Sequence, residues 1–153
     1  MNAVIIKDDR ILLIAFDDES GFHYNLPGGG VEVGEPLHDA VRREAREEAA
    51  AEIEVGRLLL VWEYLPTDAN PTPAGIPLST RPQYQRHRLN LCFECHLKEG
   101  SQPRLPDQPD EDQVGVQWIA LAEFAAAPLI PPVQPKLLAA LQQNDYPDLF
   151  VHL

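Results

Sequence analysis

The stretch Gly29–Ala51 reads GGVEVGEPLHDAVRREAREEAAA, and it changes from a glycine-rich loop to a helical pattern at Pro36. Proline is common at the first position of a helix, where its missing N–H would have no partner. We therefore predict a helix from Pro36 to Ala49. Three glutamates at spacings of three and four residues fall within about 100° on one side of this helix: Glu44, Glu47 and Glu48.

The acidic side of the predicted helix is also its apolar side. Leu37, Ala40 and Val41 lie on it one and two turns earlier, so this side should face the protein interior. Like charges buried together cost on the order of several kcal/mol unless a cation compensates them. Carboxylate oxygens are the ligands that Mg²⁺ and Mn²⁺ prefer. An exposed acidic face with ion pairs is the alternative, but the preceding loop Gly28–Gly30, whose backbone can approach a ligand closely, favours a site for a metal ion and a pyrophosphate.

Aliphatic and β-branched segments on both sides of this helix predict a sheet. A chain of 153 residues fits one domain, and we expect residues 1–153 to form a single α/β or α+β sandwich. The predicted strands are Val4–Lys7, Arg10–Phe16, Tyr24–Leu26, Ile53–Leu65, Arg88–Leu97 and Val114–Ala120, and the further helices are Leu121–Ala126 and Val133–Gln142.

One connection between these elements is unusually long. The segment Pro66–Gln85 contains five prolines and shows neither a helical nor a strand pattern. Loops of about 20 residues are uncommon in compact domains and are usually functional or disordered. We predict that this segment is a mobile loop beside a substrate.

The net charge of −12 argues against a nucleic acid as the main partner, because proteins that bind nucleic acids cluster Lys and Arg against phosphates. A small phosphorylated ligand remains compatible with this charge if a bound cation reverses the local sign. No apolar run approaches the roughly 20 residues that cross a bilayer, and the N-terminus lacks the pattern of a signal peptide. We therefore expect a cytoplasmic protein with no membrane partner. The sequence leaves open whether the chain forms a homodimer.

The two cysteines form a C-x-x-C motif, which raises the question of zinc or redox chemistry. Cys92 and Cys95 fall within a predicted strand, and residues three apart on a strand point to opposite faces. The two thiols should therefore be separate packed side chains rather than a pair.

The stretch Gly29–Ala51 resembles the Nudix box, G-x5-E-x7-R-E-U-x-E-E-x-G-U, in which U is a bulky aliphatic residue. The charged positions of the box correspond to Glu35, Arg43–Glu44 and Glu47–Glu48. The preceding Asn25–Gly28 and the later Trp118 with its Leu-x-x-Phe segment also look like the family. Three positions depart from the box, with alanine in place of its glycine and of two aliphatic residues: Ala50, Ala45 and Ala51. Because alanine resists a positive φ, the departure at Ala50 suggests that the helix runs longer or ends differently.

The resemblance implies an α/β/α sandwich around a mixed sheet and an enzyme that hydrolyses P–O–P anhydrides. It implies that Mg²⁺ or Mn²⁺ is held by the carboxylates and by a main-chain carbonyl, and that a structural pair joins the loop to the helix. The metal ligands would be Gly29, Glu44, Glu47 and Glu48, and the structural pair would be Glu35 and Arg43. Glu44 and Glu47 would also be catalytic. In several relatives a glutamate before the last sheet strand is the general base, which here indicates Glu111, with Glu47 and Glu94 as alternatives.

The substrate is less strongly indicated than the chemistry. Pro66 lies sixteen residues after Ala50, a spacing that resembles ADP-ribose pyrophosphatases. A small basic cluster adjoins the long loop, and with an aromatic residue it forms the candidate substrate-binding set: Arg81, Arg86, Arg88 and Tyr64. Such arginines can clamp a phosphate or carboxylate, whereas a merely solubilising loop and a packed tyrosine are the alternatives.

Three functions are compatible with these features. The first is hydrolysis of a nucleoside diphosphate linked to another group, such as ADP-ribose or a nucleotide sugar. The second is a pyrophosphohydrolase for nucleoside triphosphates, and the third is a non-catalytic Nudix-like module that senses a nucleotide. The carboxylates favour an enzyme, and the long loop and Pro66 favour the first function. In each case the partner is a small-molecule nucleotide.

Overall fold

The computed structural model describes residues 1–66, 72–80, 82–142 and 150–152. Its strands are β1 (Asn2–Lys7), β2 (Arg10–Asp18), β3 (Gly21–Asn25), β4 (Ile53–Tyr64), β5 (Arg88–Leu97), β6 (Gln113–Ala120) and β7 (Phe150–His152). Its helices are α1 (Leu37–Ala49), α2 (Leu121–Phe124) and α3 (Gln134–Gln142). None of the helices in these ranges is long and apolar enough to cross a membrane.

The strands form a mixed sheet in the order β3-β2-β1-β5-β4-β7, with β6 paired to β2. β1 is parallel to β5 and β7 is parallel to β4, whereas the other pairs are antiparallel. Asp8 and Asp9 join β1 to β2 with positive φ angles of 50° and 57°. A two-residue turn of this handedness matches the twist of paired strands.

Two hydrophobic cores lie on opposite faces of this sheet. Side chains alternate between them along β1 and β2, as the two-residue period of a strand requires: Ala3, Ile5, Leu12 and Ile14 belong to one core, and Val4, Ile11, Leu13 and Ala15 to the other. The first core contains Ala40, Val41, Ala45 and Ala49 of α1. The second contains Phe124 of α2 and Leu137 of α3. The helices therefore cover both faces, which confirms the predicted α/β/α sandwich with a mixed sheet.

The two thiols belong to different cores. Cys92 packs in the core under α3 and Cys95 in the core under α1, and both are buried. Burial raises the pKa of Cys92 to about 11 and that of Cys95 to about 12. The two side chains are protonated packing residues on opposite faces, as the strand period predicted.

The long connection contains more structure than its sequence suggested. Leu78–Thr80 and Pro82–Tyr84 form short 3-10 turns, so the expectation of no regular element was wrong. Leu78 is almost fully buried in the core under α3. This one buried leucine anchors the segment. The sequence did not reveal it, because a single apolar residue produces no periodic pattern.

Helix α1 ends where the box glycine would stand. Ala50 adopts a left-handed conformation with φ 48° and ψ 33°, and its N–H donates to the carbonyl of Arg46 at 3.0 Å. This is the 5→1 bond of a left-handed C-cap, and the next N–H, of Ala51, donates to the carbonyl of Ala45 at 3.1 Å. The expectation of a longer or different helix end was therefore wrong, because the terminal carbonyls impose the left-handed turn even on alanine.

Replacing Ala50 by glycine should raise the free energy of unfolding by about 0.5–1 kcal/mol. A left-handed alanine costs roughly 1–2 kcal/mol, and the greater freedom of glycine in the unfolded chain offsets part of the gain. Chemical denaturation measures the change. Ala45→Gly, in the interior of the same helix, is the control and should instead lower the stability. A loss of stability in Ala50→Gly would contradict the strain assigned to this helix end.

Candidate active site

The loop before α1 is pressed between β1 and the helix. Ala3 N–H donates to the carbonyl of Pro27 at 2.8 Å, and the main-chain nitrogen of Met1 donates to the carbonyl of Gly29 at 2.6 Å. A Cβ atom on Gly28 would meet the backbone of Met1 and Asn2, and one on Gly29 would meet the carboxylate of Glu44. Glycine is required at both positions because neighbouring atoms occupy the space of a side chain.

Two buried carboxylates of α1 lie against this loop. Glu48 Oε2 accepts a hydrogen bond from the Gly28 N–H at 2.7 Å. Burial raises the pKa of Glu48 to about 8, and repulsion from Glu44, Asp110 and Glu47 adds to the effect of burial. Burial likewise raises the pKa of Glu44. Burial therefore disfavours the ionised form of both carboxyls, and a bound cation would favour it.

Arg43 connects the loop to the carboxylates. Its Nε and Nη2 atoms donate to the two oxygens of Glu35 at 2.9 and 3.0 Å, and Nη2 also donates to the carbonyl of Gly30 at 2.9 Å. Its Nη1 atom donates to Glu44 at 2.9 Å and to Glu47 at 3.0 Å. The hydrogen bonds from Arg43 hold the pKa of Glu35 below its usual value. One guanidinium therefore sets the positions of the loop and of two acidic side chains.

The donor atoms at this junction suit a divalent cation. Carboxylate oxygens and the Gly29 carbonyl are hard ligands of the kind that Mg²⁺ and Mn²⁺ prefer. Within the described ranges, no three acidic, His or Cys side chains converge closely enough to hold a metal as they stand. Glu44 and Glu47 point to Arg43, and Glu48 points to the Gly28 N–H. These carboxylates thus accept hydrogen bonds from the Arg43 guanidinium and from a main-chain N–H.

An acidic loop approaches the C-terminal end of α1 from β6. Gln113 Nε2 donates to the carbonyl of Glu48 at 2.7 Å, and Gln113 Oε1 accepts from the N–H of Asp110 at 3.2 Å. Glu111 is exposed and lines a cavity of about 340 Å³ together with Asp18. The buried Gln113 thus fixes this loop beside the helix. Sequence reasoning missed Gln113, since a lone glutamine at a strand start belongs to no motif.

The third candidate base lies elsewhere. Glu94 accepts a hydrogen bond from Arg57 Nε at 2.8 Å. It lies two residues from Cys92 along β5 and therefore on the face covered by α3 rather than α1. The structure does not bring Glu94 to the carboxylates of α1.

The basic cluster separates into residues with different surroundings. Arg81 lies outside the described residues. Arg86 is exposed and lines neither of the two cavities described here. His87 contacts Glu63 at 2.6 Å. Arg88 lies with its guanidinium carbon 5.5 Å from the centre of the Tyr84 ring and lines a second cavity.

This second cavity has a volume of about 550 Å³ and opens beside the glycine loop. Gly28, Gly29 and Gly30 form one side of it. Aromatic and polar side chains from β4, β5 and the long connection form another: Trp62, Tyr64, Tyr84, Arg88 and Asn90. Tyr64, a candidate from the sequence, is buried but lines this space, whereas sequence reasoning missed Asn90. The glycine loop therefore contacts this ligand-sized cavity as well as the carboxylates Glu44 and Glu48.

Comparison with known proteins identifies the family. The family model described as the NUDIX domain matches residues 1–141. Similar solved structures include an ADP-ribose pyrophosphatase from Streptococcus suis (21% identity, 99% of this chain and 96% of that chain, TM-score 0.63). They also include a Nudix hydrolase from Nitrosomonas europaea (22%, 92% and 84%, TM-score 0.68) and a MutT Nudix hydrolase from Burkholderia pseudomallei (29%, 79% and 81%, TM-score 0.55). No curated protein matches the chain. Because the family model covers nearly the whole chain, the protein belongs to the Nudix family of pyrophosphohydrolases.

Proposed function

We propose that this protein is a metal-dependent pyrophosphohydrolase that cleaves the anhydride of a nucleoside diphosphate linked to another group, such as ADP-ribose or a nucleotide sugar. The observation that carries the proposal is the cavity of about 550 Å³ that opens at Gly28–Gly30, next to Glu44 and Glu48. If a pyrophosphate binds at the glycine loop, this cavity has room for the organic group attached to that pyrophosphate. The names of the similar structures do not identify the substrate, because two structures of 21% identity are named for different ones, an ADP-ribose pyrophosphatase and a UDP-X diphosphatase.

The carboxylates of α1 would hold the cation. Glu44, Glu47 and Glu48, with the carbonyl of Gly29, would be the ligands of Mg²⁺ or Mn²⁺. When bound, such a cation neutralises phosphate charge and lowers the pKa of a coordinated water. Arg43 would keep the ligands in place through Glu35 and through its bond to the loop. Its planar guanidinium makes several fixed hydrogen bonds at once, which a lysine cannot do.

In the proposed reaction a water oxygen forms a bond to one phosphorus and the bridging P–O bond breaks. Glu111 would accept a proton from the water, because it lies on the loop that Gln113 ties to the end of α1. Glu47 remains the alternative base, although its carboxylate is engaged with Arg43. The products are a nucleoside monophosphate and the phosphate ester of the second group.

A substrate panel tests this proposal. We would measure kcat/KM for ADP-ribose, nucleotide sugars and nucleoside triphosphates with Mg²⁺ and with Mn²⁺, and identify the products. We expect kcat/KM for a nucleoside diphosphate derivative to exceed kcat/KM for the triphosphates by roughly tenfold, about 1.4 kcal/mol in transition-state binding. The expected product is a nucleoside monophosphate. A kcat/KM that is tenfold higher for a triphosphate, with release of pyrophosphate, would overturn the substrate assignment. Tight nucleotide binding without hydrolysis under either metal would support the non-catalytic alternative.

Neutralising Arg88 should raise KM more than it lowers kcat. The Arg88 side chain lines the cavity, so Arg88→Gln removes a positive charge that the bound substrate contacts both before and during the reaction. The matched control is Arg86→Gln, two residues away and outside the cavity, which should leave both constants within about twofold. Steady-state kinetics on the best substrate would measure the change. Equal effects of Arg86→Gln and Arg88→Gln would show that the arginines act only through the general charge of the surface and not through contact with the substrate.

A further inference from the structure

The cavity beside the glycine loop lies at an open edge of β5. β1 begins at Asn2, which pairs with Cys92, so β5 extends beyond β1 by the segment Arg88–Leu91. On its other side this segment pairs with β4, with Trp62 opposite Asn90 and Tyr64 opposite Arg88. Among the described residues, no strand pairs with Arg88–Leu91 on the side of β5 that β1 occupies further along. The gap therefore exposes a strand edge and the side chains of the β4–β5 ladder to the cavity.

Three side-chain polar atoms in the wall of this cavity have no hydrogen-bond partner among the described residues. One of them, Trp62 Nε1, lies against the Cys92 thiol, and the other two belong to Tyr64 and Asn90. Tyr64 is only 1% exposed, and its hydroxyl is unpartnered. The side-chain nitrogen of Asn90 is also buried and unpartnered. Burial raises the pKa of Tyr64, so its hydroxyl stays protonated and able to donate. Buried polar groups in native proteins nearly always have partners, and two neighbouring exceptions in one cavity wall indicate a ligand.

The rest of the wall has an aromatic and aliphatic side, and a polar side formed by Asn2, Asn25, Arg88 and the glycine loop. The Tyr84 ring meets the Tyr64 ring edge to face, with centres 5.7 Å apart, and Leu129, Ile130 and Val133 complete this side. A planar heteroaromatic ring presents apolar faces and a polar edge, which matches this distribution.

We propose that this cavity binds the nucleobase of the substrate, with the Tyr64 hydroxyl and the Asn90 amide hydrogen-bonded to the edge of the base. The proposal rests on the proposed function for the class of ligand, a nucleotide. The new elements are that the base side of the substrate enters the cavity and that Tyr64 and Asn90 select the base.

Calorimetry on the full chain in the presence of a chelator tests this assignment apart from catalysis. The probes are the common nucleoside 5′-monophosphates and ribose 5-phosphate, which lacks a base. We expect at least one monophosphate to bind tenfold or more tightly than ribose 5-phosphate. Tyr64→Phe and Asn90→Leu should each reduce this preference several-fold without changing the affinity for ribose 5-phosphate.

Tyr24→Phe provides a matched control. The Tyr24 hydroxyl donates to Gln117 Oε1 at 2.8 Å, so its removal should lower the melting temperature and leave the base preference unchanged. Tyr64→Phe removes an unpartnered group and should not lower the melting temperature of the ligand-free protein.

Two results would overturn the base assignment. One is equal binding of monophosphates and ribose 5-phosphate, and the other is an unchanged base preference in both Tyr64→Phe and Asn90→Leu. If base-selective binding is found but no diphosphate derivative is hydrolysed, the base site stands and the proposed reaction fails. If hydrolysis occurs with equal kcat/KM for all bases, the reaction stands and the base site fails.

Discussion

Replacing Glu48 by glutamine should lower kcat/KM by on the order of 10²-fold or more while the protein stays folded, because the substitution keeps the shape but removes a charge that the proposed cation needs. The glutamine oxygen can still accept the hydrogen bond that Gly28 donates to Glu48. Steady-state kinetics with Mg²⁺ and with Mn²⁺, together with circular dichroism, would measure the two effects. Glu52→Gln is the control, since Glu52 is an exposed acid just beyond the same helix, paired with Arg46 at 2.7 Å. Retention of more than half the activity in Glu48→Gln would remove Glu48 from the metal site.

The same variant should stabilise the metal-free protein at alkaline pH. Burial raises the pKa of Glu48 from 4.5 to about 8, so the unfolded chain ionises first and the native state loses stability as pH rises between these values. Glu48→Gln removes this loss. Denaturation in the presence of a chelator should show little difference between variant and parent near pH 4.5 and a more stable variant above pH 8. The opposite trend would contradict the burial assigned to this carboxylate.

Replacing Gly29 by alanine should also lower kcat/KM, by on the order of 10²-fold, because misplacing a catalytic group by about 1 Å has an effect of this size. The new Cβ atom would lie within 2.6 Å of the carboxyl carbon of Glu44 and must displace this side chain or the loop. Gly30→Ala is the matched control, because a Cβ atom at Gly30 meets nothing within 4 Å.

Kinetics and metal titration by calorimetry on both glycine variants would measure the difference. We expect Gly29→Ala to weaken both activity and metal affinity, and Gly30→Ala to stay within about threefold of the parent. Equal activities of the two variants would show that the close packing of Gly29 on Glu44 does not set the geometry of the site.

Local periodicity accounts for the elements that the sequence predicted well. The spacing of the apolar residues and glutamates in α1 places both on one side of a helix, whatever surrounds it. The two-residue period of β5 assigns Cys92 and Cys95 to opposite faces for the same reason. The ends of elements were less accurate: β3 runs from Gly21 rather than Tyr24, and α2 ends at Phe124 rather than Ala126. Ends depend on capping and pairing, which local composition describes poorly.

The sequence by itself determined the acidic helix, the glycine loop before it, the family and the class of reaction, because these depend on residues close together in the chain. Only the tertiary structure decided what surrounds them. The hydrogen bond from Gln113 to the Glu48 carbonyl joins residues 65 positions apart, and the cavity is lined by β4, β5 and the glycine loop, which lie far apart in the chain. The left-handed Ala50 and the buried Leu78 likewise follow from contacts with distant atoms. Contacts of this kind leave no periodic trace in the chain, since each depends on a single side chain that meets its partner only after the sheet has formed.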